Sequence, residues 1–338
     1  MRSIFFSIIS IALLGVLMAF RPQHKVIMPI APDSVVEVLK QLGVEMPKHT
    51  VRANVAGVSA EAGKQLVMNG FTTKDPVGKT HRQSKHFVCI SCHNTVKEDP
   101  DLRYSDPDAR LQYGLDKDIS LLPATTFYGI INRKTFYNGD YDKKYGDLVK
   151  PARHDLRGAI ALCAVECAQG RELEEWEMES IVAYMWTIGL KLSDLNIPQS
   201  EMDKIMDALA GKGDASKAAN IVQSYFLDYS PATFVTPPPN RHEGYGLKGN
   251  AENGRHVYEQ SCLHCHDQQR YSFFDLDESD YSISYLGRHF EKYTRYSAYQ
   301  VIRYGTSPMN GKRAYMPHFT LERMSNQQVE DLKAYLME

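Results

Sequence analysis

Two pentapeptides constrain this chain more than anything else in it: Cys89-Ile90-Ser91-Cys92-His93 and Cys262-Leu263-His264-Cys265-His266. Both follow the pattern Cys-x-x-Cys-His, the signature of covalent c-type haem attachment. The spacing has a physical reason. Two thiols one turn apart can add to the two vinyl groups of one porphyrin, and the adjacent imidazole then falls beneath the iron as proximal ligand. A zinc site would need two cysteine pairs converging on one ion, without the fixed trailing histidine. A thioredoxin-like dithiol would sit in a strand–helix setting that this sequence lacks. Cys89, Cys92, Cys262 and Cys265 are therefore expected to carry two covalently attached haems c, with His93 and His266 as iron ligands.

The remaining composition narrows the class. The 39 basic and 41 acidic side chains nearly cancel. A protein held to nucleic acid by bulk electrostatics needs a basic excess, so no nucleic-acid partner is expected. Apolar residues make up 43% and charged residues 24% of the 338, an ordinary globular balance that excludes wholesale disorder and a multi-span membrane protein. Residues 1–21 begin with Arg2 and continue through an uncharged run at 4–20. This reads as a secretory signal or a single N-terminal membrane anchor, and either places the rest of the chain in the periplasm.

Helical periodicity dominates, and the expected fold class is all-α. Residues 22–58 read as an irregular arm with one short helix near 34–42. A first helical domain spans 59–190, opening with a helix that Gly70 ends and closing with a helix over 173–189. That closing helix places Trp176, Ile181, Tyr184, Met185 and Ile188 on one face. Residues 94–150 read as polar loop, and 157–167 as helix. Residues 191–249 form a linker of two helices followed by a Pro/Gly-rich stretch. A second domain, 250–338, closes with the capping-box pattern Ser325-Asn326-Gln327-Gln328. Each half runs from a helix to a pentapeptide, through an irregular stretch, to a helix containing Ala-Tyr (Ala183-Tyr184 and Ala334-Tyr335). The chain thus reads as two copies of one domain.

A second axial ligand sets the chemistry of such an iron. Both halves resemble class I cytochromes c, small helical folds around one haem. In the second half, Tyr315-Met316-Pro317 resembles the Met-Pro of that class, which makes Met316 the expected distal ligand, with Met309 and Met324 as alternatives. The first half has no methionine between His93 and Met178. It offers instead Ile160-Ala161-Leu162-Cys163-Ala164-Val165-Glu166-Cys167, containing the two cysteines left over after haem attachment. A disulfide between helical positions i and i+4 is geometrically awkward. A thiolate on the iron accounts better for them, with a potential shifted down, opposite to the effect of Met316.

This segment also resembles the Cys-bearing motif of thiosulfate dehydrogenases and of the haem-carrying subunit of the sulfur-oxidising Sox complex. Ile160, Cys163 and Gly170 match, as does the approach Gly63…Thr72…Gly78 before Cys89. The motif's Asn is Ala161 here, and the Arg-Ser of thiosulfate dehydrogenases is Glu166-Cys167. The resemblance implies Cys163 as iron ligand and active element. Cys167 and His154 stay open as alternatives, as does a plain packing role for both thiols.

The expected function is single-electron transfer by an exported dihaem cytochrome c. Electrons would leave the His266/Met316 site for a small redox carrier protein or a terminal oxidase. One alternative is a thiosulfate dehydrogenase-like oxidoreductase at the first haem, coupling two small sulfur anions to tetrathionate. Another is an electron-transfer subunit of a membrane respiratory complex. Arg133, Lys134, Lys143, Lys144, Lys150, Arg153 and Arg157 stand against four aspartates over 133–157, a loop expected to be mainly solvated or else to steer an anion. Tyrosines 271, 281, 285, 293, 296, 299, 304 and 315 crowd the second half, for packing or docking.

Overall fold

The computed structural model describes residues 32–52, 54–74, 78–307 and 314–338. The expected signal or anchor at 1–21 and the alternative ligand Met309 lie outside the described residues. Among those described, no helix is long and apolar enough to cross a membrane.

The fold is all-α, apart from a two-residue ribbon pairing Thr73–Lys74 (β1) with Gly78–Lys79 (β2). The helices of the first half are α1 (Val35–Gln41), α2 (Ala60–Asn69), α3 (Pro107–Lys117), α4 (Asp140–Tyr145), α5 (Leu156–Leu162) and α6 (Glu175–Thr187). The connecting helices are α7 (Gln199–Leu209) and α8 (Ala215–Ser224). Then come α9 (Ala251–Val257), α10 (Leu263–His266), α11 (Asp280–Phe290), α12 (Ala298–Tyr304) and α13 (Asn326–Met337).

Local sequence explains most boundaries. Ser59 caps α2 by accepting from Ala62 N, and Gly70 ends it in the left-handed region at φ 73°. Ser325 and Gln328 form the reciprocal capping box at α13, at 3.0 and 3.1 Å. The stretch 94–150, expected as loop, instead contains α3 and α4. Asp106 accepts from Asp108 N and Ala109 N, with Pro107 at the first helical position, so the start of α3 was written locally. The closing helix of the first half is not one-faced. It is buried nearly all round, and its inward Glu177 and Glu179 are neutralised by Arg171 and Arg157 at 2.6 and 2.5 Å.

Two helix crossings repeat. α2 packs across α6, and α9 packs across α13. A side chain at Gly63 would put its Cβ 1.8 Å from the Ser180 carbonyl oxygen, and one at Gly254 would sit 1.9 Å from that of Asp331. Only glycine lets either backbone pair approach this closely.

Three apolar cores follow. One joins α2, α6 and the chain at 127–136; one joins α9, α11, α12 and α13; one joins α1, α7 and α8. Leu111 on α3 and Leu121 belong to the second core, although they lie in the first half of the sequence. The halves are also locked by charge. Arg323, just before α13, meets the Glu98 carboxylate at 2.5 Å with both side chains buried, and its Nε donates to Leu122 O at 2.9 Å. Arg110 on α3 binds Asp99 at 2.7 Å and donates to Glu322 O at 2.8 Å. Burial alone would hold Glu98 protonated. The Arg323 and Arg110 guanidiniums overcome that and keep its carboxyl below the ordinary range.

Candidate metal centres

The first motif begins in a 3-10 turn, Cys89–Ser91, pinned where Val88 N donates to Ser91 Oγ at 3.0 Å. His93 stacks on Phe127, with ring centroids 4.2 Å apart. Its Nδ1 lies 2.6 Å from Thr125 O. A carbonyl only accepts, so Nδ1 carries the proton and Nε2 keeps its lone pair for a metal. Burial lowers the imidazole pKa to about 4, against the pull of the Thr125 bond, so the ring is neutral. Thr125 is itself held by Arg133, whose Nη1 donates to its Oγ1 at 2.9 Å.

The second motif repeats this logic. A π-helical turn, Tyr258–Cys262, delivers Cys262 into α10, and His266 donates Nδ1–H to Phe274 O at 2.7 Å. Burial again lowers the imidazole pKa. Two histidines, each adjacent to a cysteine pair, thus present Nε2 in the same tautomer.

The cysteines fit a porphyrin better than a bare ion. All six are free and half-buried. Burial pushes the Cys89 and Cys262 thiols up to about 12 and Cys265 to about 11, and it raises Cys92 as well. A metal thiolate would have to hold charge in such surroundings, whereas a thioether to a porphyrin is neutral. Among the described residues, no group of three or more His, Cys, Asp or Glu is placed to hold a metal ion.

The two motifs touch. Cys265 Sγ donates to Ser91 O at 3.7 Å, and His264 Nδ1 meets Ser120 Oγ at 3.0 Å. Leu121 N donates to Gln260 O at 3.1 Å. The thiols of Cys265 and Cys167 are neighbours of Cys92.

The distal candidates differ between halves. Met316 is fixed by two bonds to Thr306, both 2.8 Å: its N donates to Thr306 Oγ1 and its O accepts from Thr306 N. It lies at the edge of the second core, as Cys262 does. Met324 is 2% exposed and serves that core as packing. Cys163 and Cys167 frame a π-helical turn after α5, closed by Ala168 N donating to Cys163 O at 2.7 Å. Such turns recur at functional sites. The neighbouring Cys163 sulfur, and then burial, raise the Cys167 thiol pKa well above the usual range. Gly170 crosses the chain at Gln83, where a Cβ would lie 2.3 Å from the carbonyl oxygen. His154 is exposed, its Nδ1 3.4 Å from Lys134 O.

Tyrosines from both halves lie within electrostatic reach of the thiol pair, which nothing local in the sequence marks. Burial, and then the nearby Cys167 sulfur, raise the phenols of Tyr137, Tyr141, Tyr145 and Tyr315. Tyr315, next to Met316, reaches across to pack edge-on against Phe87 at 5.7 Å. The lysines of the basic loop are largely solvated, as expected, and most of its charges meet a carboxylate: Lys134 with Asp228, Lys143 with Asp140, Lys150 with Asp147 and Arg153 with Asp142. Lys144 is different. Its Nζ donates to Tyr304 O at 2.9 Å and to His318 Nδ1 at 2.8 Å, and among the described residues no carboxylate pairs with it.

Residues 249–336, which contain the second motif and Met316, match the family model described as cytochrome c oxidase, cbb3-type, subunit III. No curated protein and no solved structure matches the chain.

Proposed function

We propose that this chain, a c-type cytochrome by its residues 249–336, is an exported dihaem protein that transfers single electrons between a donor and a respiratory acceptor. Covalently bound haem c supplies the one-electron ferric/ferrous couple. The observation that carries the reading is the contact between the two Cys-x-x-Cys-His motifs, each with its histidine set by a backbone carbonyl. Touching attachment sites give electrons a short path, and the buried Glu98–Arg323 pair holds that path fixed. Cys163, an anionic donor once ionised, sets the first site low, with Cys167 as rival. The neutral thioether of Met316 sets the second high and makes it the exit to a small carrier or a terminal oxidase. Pyridine haemochrome analysis should give two haems per chain. One haem per chain, or none, overturns the reading.

Two further readings each rest on one observation. Lys144, which meets no carboxylate among the described residues and lies within electrostatic reach of Cys167, suits a small sulfur anion such as thiosulfate at the first site. Reduction of the purified protein by thiosulfate tests this. The family description of residues 249–336 favours a subunit of a respiratory complex instead. Co-purification with membrane subunits tests that, and it bears equally on whether residues 4–20 stay as an anchor.

A further inference from the structure

The loop after the second motif and the first turn of α11 leave large rings in water. Phe273 is 77% exposed, Tyr281 76% and Phe274 43%. They stand beside the second candidate centre: Phe274 O accepts the His266 Nδ1 proton, and the Phe274 ring lies edge-on to the imidazole at 5.7 Å. Exposed apolar rings carry a hydration cost that burial against a partner removes.

The border of this patch along the loop is mostly acidic. Asp275, Asp277, Glu278 and Asp280 are all exposed. Asp275 and Asp277 hold the loop's shape by accepting from Gln269 N and from Ser279 and Ser282. Glu278 is exposed, and so is Asp280, which stands in the first turn of α11. Between 267 and 281 the single basic residue is Arg270, which lies over the Tyr271 ring. On the side toward the first half, Phe273 meets His86 at 6.4 Å.

An aromatic centre within a charged rim is the anatomy of a transient protein interface, and the sign of the rim selects the partner. We infer that this face docks a small electron-carrier protein whose own redox centre is ringed by lysine and arginine. A second copy of this chain would bring acidic rim against acidic rim, and an anionic lipid surface would be repelled as well. The inference deepens the proposed function and rests on the second motif holding a haem.

The test uses the full haem-loaded protein and, as probe, a lysine-rich mitochondrial cytochrome c. Its succinylated form, with inverted charge, is the control. Binding of the oxidised probe by calorimetry and electron transfer in stopped flow are followed from low to high salt. Wild type should bind the native probe and not the succinylated one, with a rate that falls steeply as salt rises. The double variant Glu278→Lys/Asp280→Asn should lose roughly tenfold in low-salt rate to the native probe and converge with wild type at high salt. Phe273→Ser should lower the rate at every salt concentration. Haem content and thermal midpoint are checked for each variant. A loaded protein whose binding and rate ignore salt, probe charge and both variants overturns the docking face alone. A second motif without haem overturns the underlying reading.

Discussion

The two Cys-x-x-Cys-His sites are built alike below and unlike above. Each rests on a helix crossing that only glycine permits, at Gly63 over Ser180 and at Gly254 over Asp331. Each fixes its histidine with one backbone carbonyl, Thr125 O or Phe274 O. Differences begin on the open side. The first histidine is stacked on Phe127 and backed by Arg133, and that half also carries a pair of neighbouring thiols in a π-helical turn. The second histidine adjoins exposed rings, and its candidate partner is a thioether on an irregular segment pinned by Thr306. The same scaffold thus holds two sulfur donors of opposite electronic character, an ionisable thiol and a permanently neutral thioether. On the proposed dihaem reading, what would face the iron, rather than what would hold the porphyrin, separates the two sites.

The shared part should break hardest. Gly63→Val and Gly254→Val each drive a side chain into a backbone carbonyl less than 2 Å away, which no rotamer relieves. Each should abolish haem incorporation at its own motif and leave little soluble protein. Haemochrome yield and mass of the haem-bearing peptides read this directly. Normal loading of both motifs in either variant would show that the crossing is not the common foundation.

The lock between the halves comes next. Removing one partner of the buried Glu98–Arg323 pair strands the other charge, at a cost of about 3–5 kcal/mol. Glu98→Gln and Arg323→Met should each fall in that range by urea unfolding, and the double variant should recover much of the loss. The pH sign follows from the depressed Glu98 pKa. The pair's contribution is complete above the unfolded carboxylate value of about 4.3 and fades as pH drops toward the folded one. Stability differences between wild type and Glu98→Gln should therefore shrink on acidification. A gap that stays constant from neutral pH to below pH 3 would remove the pair from the argument.

How much of this was legible in the chain follows from distance along it. Covalent attachment needs its cysteines and histidine in one pentapeptide, so both motifs were readable without a fold. Caps at Ser59 and Ser325 act across three residues and were equally plain. The helix α3 was missed although Asp106-Pro107 announces it, because a short polar segment shows little apolar periodicity; its Leu111 is paid back only by the second core. Nothing local marks the Glu98–Arg323 pair, whose members are separated by 225 residues. The same holds for Tyr315 reaching the first site. The π-helical turn at Cys163–Cys167 was visible only as an odd i, i+4 cysteine spacing, because extra turn width is a property of backbone hydrogen bonds.

The distal donors should move spectra and potentials more than stability. Cys163→Ala should abolish a thiolate-type low-spin signal in electron paramagnetic resonance. It should also raise the first potential, by on the order of 0.1 V out of the ~0.8 V that axial ligation spans. Met316→Ala should do neither, and should shift the second potential downward by a similar amount. Survival of the thiolate signal in Cys163→Ala with its loss in Cys167→Ala would transfer the role to Cys167.

The smallest effect concerns the cation beside the first site. Burial lowers the Lys144 ammonium pKa to about 8, partly offset by the Cys167 sulfur. A lysine with a lowered pKa loses its charge as pH rises through that value, so its attraction for an anion is present below pH 8 and gone above it. If thiosulfate meets the first site, its apparent affinity should fall as pH rises past 8. Lys144→Gln should be weaker than wild type at pH 7 by roughly fivefold, about 1 kcal/mol for a part-exposed charge, and flat across that range. Lys144→Arg should keep its affinity to higher pH, since guanidinium does not titrate there. Identical profiles for all three proteins would make Lys144 a structural tie to Tyr304 and His318 in both halves' shared wall, and would leave the thiol pair facing electrons alone.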